Sequence, residues 1–114
     1  MSNSSMQVMV KEFVEKYGLQ TDARSRFIDL VSEIGELGKE ILTCTDYGKK
    51  KLETNKHISG EMGDCLFSLF ALCDVLGISA EDALDMALRK YTERFESKGH
   101  VGSNIEEAID AQVL

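Results

Sequence analysis

The 114-residue sequence contains no proline. Proline punctuates loops and breaks helices, so its absence favours long helices joined by few connections. No apolar stretch approaches the roughly 18–20 residues that a membrane-crossing helix needs. Met1 to Ser5 is short and polar and lacks the pattern of a signal peptide. Cysteine is scarce: Cys44, Cys65 and Cys73 form no C-x-x-C pair. Their odd number and their positions in helical runs suit reduced thiols of a cytoplasmic protein, acting as small apolar residues. No segment alternates with period two, so no strand is expected, and there is no internal repeat or low-complexity tract. Positive charge is in deficit, with 13 lysines and arginines against 20 acids and a net charge of −7. That balance speaks against non-specific nucleic-acid binding through the surface.

What remains is a chain of ordinary composition, 43% apolar and 29% charged, of a length that suits one domain with a modest core. The first helix is expected over Ser5 to Tyr17, with Val8, Phe13 and Val14 as a partial stripe and Gly18 as its stop. Thr21 or Asp22 then caps a longer helix reaching about Cys44. On its wheel Phe27, Leu30, Val31, Ile34, Leu37 and Ile41 share one side. Thr45 to Lys56 reads as an exposed loop around Asp46, Gly48 and the run Lys49-Lys50-Lys51, which is more simply a solvated stretch than a phosphate-steering one.

A third helix is expected from about Lys56 to Leu76, ended by Gly77. Between Met62 and Cys73 its only polar side chains are Asp64 and Ser68, the pattern of a helix buried nearly all round. Ser79 is the expected cap of a fourth helix running to about Ser97. Leu84, Ala87, Leu88, Tyr91 and Phe95 form its core stripe, and Lys90, Arg94 and Lys98 line one flank. The fold class is therefore all-α, a four-helix, bundle-like domain over residues 1–102 with an acidic tail over 103–114.

Two acidic pairs stand out: Glu33-Ile-Gly-Glu36 on the second helix and Glu61-Met-Gly-Asp64 on the third. Residues three apart share a helix face, so each pair presents its carboxylates side by side. Glu33, Glu36 and Glu40 fall in a strip about 60° wide that borders the apolar face instead of opposing it. If the two helices pack together, four carboxylates converge, and such a set repels itself strongly unless a cation sits among them. An all-oxygen donor set suits Mg2+ or Mn2+ better than zinc. A di-iron carboxylate bundle would need Glu-x-x-His pairs, but neither His57 nor His100 follows a glutamate by three, and Lys39 and Asp64 stand where histidines would be required. A metal also reverses the local sign, so the acidic balance leaves a nucleotide open as ligand.

Glu33-x-x-Glu36, 24 residues, then Glu61-x-x-Asp64 resembles the signature of the MazG-like all-α nucleoside triphosphate pyrophosphohydrolases. The likeness extends through Leu30-Val31-Ser32-Glu33-Ile34-Gly35-Glu36-Leu37, through Gly60-Glu61-Met62-Gly63-Asp64-Cys65-Leu66-Phe67-Ser68-Leu69, and through Leu76-Gly77-Ile78 into the basic fourth helix, roughly Phe27 to Gly102. The resemblance implies Mg2+-dependent hydrolysis of a nucleoside triphosphate between the α and β phosphates, giving the monophosphate and pyrophosphate. It implies Glu33, Glu36, Glu61 and Asp64 as metal ligands, with Glu36 the choice for general base. Lys90 and Arg94 would balance the pyrophosphate charge, and Glu40 either orients a metal-bound water or is a plain surface acid. It also implies a homodimer or homotetramer. Two departures touch the phosphate contacts: Ser32 precedes Glu33 where many members carry a second glutamate, and Tyr91, Thr92 and Glu93 stand where many place an asparagine. Phe13, Tyr17 and Tyr47 are candidates for stacking a base, although each has a simpler structural reading. The reading from another class is a helical module of the same fold that binds nucleotides or partner helices without turnover, its acids a solvated stripe.

Overall fold

Among the described residues four α-helices are joined by short turns and one longer loop: α1 (Ser5–Lys16), α2 (Ala23–Cys44), α3 (Lys56–Val75) and α4 (Ala80–Lys98). The computed structural model describes residues 5–98, and no strand occurs among them. The acidic tail over 103–114, together with Gly99, His100 and Gly102, lies outside the described residues.

Local chemistry sets the helix ends. Asp22 is extended at φ −88°, ψ 170° and its carboxylate accepts from the Ser25 N–H at 2.8 Å, capping α2. Asn55 does the same for α3, accepting from His57 N and Ile58 N. Gly18 and Gly77 come after α1 and α3 with φ of 62° and 68°, the left-handed geometry that glycine adopts at least cost. Asp46 and Tyr47 are also left-handed, at φ 50° and 58°, held by Tyr47 N donating to Leu42 O and Lys50 N to Thr45 O. They turn the chain from α2 into the exposed lysine loop.

By their contacts α1, α2 and α3 form one compact unit ending at Ala80, and α4 belongs to a second. Within the first unit α3 packs along α2 and, less extensively, against α1. Its core comprises Val14, Ile58, Phe70 and Ala71 with the polar Gln7, Arg26 and Ser68. Arg26 is threaded through this core: its guanidinium donates to the Leu19 carbonyl and lies 5.9 Å from the Phe67 ring. Phe67 in turn meets Phe13 edge-on at 5.8 Å.

The structure corrects four expectations about burial. α3 is not buried all round: Met62, Leu66, Leu69 and Val75 are exposed, because two neighbouring helices cover only part of its circumference. The α2 stripe is likewise open, with Phe27, Val31, Ile34 and Ile41 exposed and only Leu30 and Leu37 half-buried. On α4 no residue is fully buried, and Leu84, Leu88, Tyr91 and Phe95 of the anticipated core stripe are exposed. On α1 Val14 is buried, whereas Val8 and Phe13 are not. Among the described residues no single helix is long and apolar enough to cross a membrane.

Candidate metal centre

The contact between α2 and α3 decides which acids meet. One carboxylate oxygen each from Glu33, Glu61 and Asp64 lies within 4.8 Å of the others. Glu61 and Asp64 reach this point together because one turn of α3 separates them. Glu33 arrives from α2, and Glu36, three residues on, is not in the group. Glu33 and Glu61 are half-buried. Asp64 is exposed, not buried as the apolar run around it suggested, because it sits at the open rim of the helix contact.

Glu33 carries the electrostatic consequence. Its withdrawal from water, and then the charges of Asp64, Glu61, Glu36 and Asp29, push its pKa above the usual carboxylate value. Glu36 is thus close enough to be felt, although it stands exposed outside the trio. The Cys65 thiol is pushed up by desolvation and then by Glu33, Asp64 and Glu61. Arg26 pairs with Asp29 at the edge of this face, and neither that pair nor Arg24–Asp22 nor Arg89–Asp85 includes Glu33, Glu61 or Asp64. Clustered hard oxygens whose mutual repulsion none of these pairs offsets suit a divalent ion such as Mg2+ or Mn2+.

Other candidate residues find different surroundings. Glu40 accepts a hydrogen bond from the Cys44 thiol at 3.6 Å, and Asn55 Nδ2 donates to the same sulfur at 3.2 Å. This chain of bonds closes the base of the loop between α2 and α3. Lys90 and Arg94 lie on α4, in the second unit, where Lys90 Nζ sits 5.3 Å from the Tyr91 ring and Arg94 is half-buried. The Phe13 and Tyr17 rings meet each other tilted by 52° with centroids 4.8 Å apart, while Tyr47 is exposed on the loop. Asp29 and the Cys65 thiol also belong to the acidic face: Asp29 precedes Glu33 by four and Cys65 follows Glu61 by four. Helical spacing alone places them there.

The family model of the MazG nucleotide pyrophosphohydrolase domain matches residues 24–98, from the start of α2 to the end of α4. The chain is similar to the uncharacterized protein YpjD of Bacillus subtilis (strain 168), with 40% identity over 68 residues, 57% of this chain and 60% of that protein's length. It is also similar to the uncharacterized protein YvdC of the same organism, 30% identical over 96 residues, 76% of this chain and 90% of the relative. Among solved structures it resembles the crystal structure of YPJD from Bacillus subtilis, described as a candidate pyrophosphatase. The TM-score is 0.64 at 31% identity, covering 80% of this chain and 98% of that one.

Proposed function

The chain belongs to the MazG nucleotide pyrophosphohydrolase family, and from that premise we propose that it cleaves a nucleoside triphosphate between the α and β phosphates. The products are the nucleoside monophosphate and pyrophosphate, and non-canonical nucleotides fall within the substrate class. The observation that carries this reading is the meeting of Glu33, Glu61 and Asp64 within 4.8 Å at the α2–α3 contact. Those three residues, with Glu36 beside them, are the proposed ligands of Mg2+ or Mn2+. Such an ion would draw negative charge from the phosphates and make a bound water more acidic.

Glu36 takes the proton from the attacking water. It is exposed, and its charge is felt at Glu33, which supports that role. Water oxygen forms the new bond to phosphorus as the bridging P–O bond breaks, and the departing pyrophosphate carries the displaced electron pair. Lys90 and Arg94 offset its charge. The exposed apolar faces of α2 and α3 support a homodimer or homotetramer. The unpaired thiols Cys44, Cys65 and Cys73 suit a cytoplasmic enzyme.

Pyrophosphate release from a panel of canonical and modified nucleoside triphosphates, with Mg2+ present, tests the reading. Release is expected from at least one of them, and Asp64→Asn abolishes it while far-UV circular dichroism is unchanged. Release from none would leave a nucleotide-binding or helical interaction module in its place.

A further inference from the structure

Gln7 is only 1% exposed, less than the core residue Ala71 at 3%. A glutamine on an amphipathic helix ordinarily faces water. This one lies on α1, ahead of the family-matched residues 24–98. Its amide grips the segment that leaves α3: Nε2 donates to the Ile78 carbonyl at 2.8 Å and Oε1 accepts from the Ala80 N–H at 2.7 Å. The two backbone groups flank Ser79, so one planar amide holds the chain on both sides of that residue. Ala80 is the first residue of α4, and its N–H is one of the donors that a helix start leaves without an intrahelical acceptor. Gln7 therefore caps α4 from 73 positions away. The left-handed Gly77 begins the same turn, and the amide fixes the residues immediately after it.

We infer that Gln7 is a positioning residue: its buried amide sets the course of the chain from Ile78 into α4, and with it the starting point of the helix that carries Lys90 and Arg94. The part of this inference that concerns catalysis rests on the function proposed above; the grip itself does not. Gln7 belongs to α1, and the acid trio belongs to α2 and α3. Its amide bonds the chain between α3 and α4 and none of the acids, so its loss is expected to act on the turn that begins α4 while metal affinity stays at the wild-type value.

Gln7→Leu and Gln7→Glu separate the possibilities. Leucine fills the space without either hydrogen bond. A protonated glutamic acid reproduces both, its O–H donating to Ile78 and its C=O accepting from Ala80, whereas a carboxylate cannot donate to Ile78. Hydrogen exchange at the Ala80 amide, normalised to its intrinsic rate and compared with wild type at each pH, reads the grip. Protection falls about tenfold or more in Gln7→Leu at every pH. In Gln7→Glu it falls at about pH 8 and returns at roughly pH 5, where a buried carboxyl is protonated. Should Gln7→Leu not fold, the acid-rescued Gln7→Glu still decides the matter. In pyrophosphate release KM for the triphosphate rises about tenfold in Gln7→Leu, while Mn2+ affinity measured by electron paramagnetic resonance stays at the wild-type value. Unchanged protection at Ala80 overturns the grip. Lost protection with unchanged kcat and KM overturns the positioning role. A wild type that releases no pyrophosphate overturns that role along with the proposed function, and the exchange measurement still decides the grip.

Discussion

Glu33 is where the candidate site and the stability of the chain meet. A carboxyl whose pKa is raised on folding binds its proton more tightly in the folded state than in the unfolded chain. Without a cation, its ionised form therefore opposes folding at neutral pH. That opposition is relieved as pH falls through the raised folded value toward the ordinary carboxylate value. A divalent ion held by the proposed ligands would remove it at neutral pH by the opposite route, binding the folded site and stabilising it by mass action. Wild-type Tm is thus expected to be higher in millimolar Mg2+ than in EDTA. Glu33→Gln, which deletes one repelling charge and one ligand, melts higher than wild type in EDTA and gains little from Mg2+. Equal wild-type melting temperatures in the two buffers would contradict the shared cation. The same logic explains why Asp64 tolerates its place in an apolar run. It sits at the exposed rim and does not bear the desolvation that burial would impose.

Each helix is held by a different kind of end. α2 begins on Asp22, whose pKa is lowered by the hydrogen bonds from Ser25, the reverse of Glu33. Its contribution is present above the unfolded carboxylate value and disappears as pH falls through the depressed folded value. Asp22→Ala is therefore expected to lower Tm at neutral pH, with the gap to wild type closing in acid; thermal melts across the carboxylate range check it. α3 begins on Asn55, which also ties back to Cys44 and through it to Glu40. The lysine loop is thus closed at its base by polar groups, not by apolar packing. α4 begins on an N–H held by Gln7 of α1, and its own side chains contribute no buried residue. An element of that kind depends on what holds its ends.

At the scale of the molecule the exposed apolar surface is the dominant fact. Ala23, Arg24, Phe27, Ile28, Leu72 and Leu76 line a nearly apolar groove of about 470 Å3 between α2 and α3, and Val31, Ile34 and Leu69 extend the exposed apolar surface of the same two helices. A lone soluble chain rarely leaves so much apolar surface open to water. Light scattering at micromolar concentration is expected to give a dimer or tetramer mass, and Ile28→Glu with Leu76→Glu to shift it downward. A monomeric wild type would overturn the expectation. The all-α class, the helix ends at Gly18, Asp22 and Gly77, and the pairing of Glu61 with Asp64 were legible in the sequence, because caps, left-handed glycines and i, i+3 spacing act over a few neighbouring residues. The family resemblance was legible for a similar reason, being written in short motifs of fixed spacing. How α2 and α3 roll against each other was not. That roll brings Glu33 to Glu61 and Asp64, leaves Glu36 beside them and puts Asp64 at the rim. Gln7 was the least legible of all, since its partners lie 71 and 73 positions away. Neighbour spacing can state which side chains share a face, but only packing in three dimensions decides what that face meets.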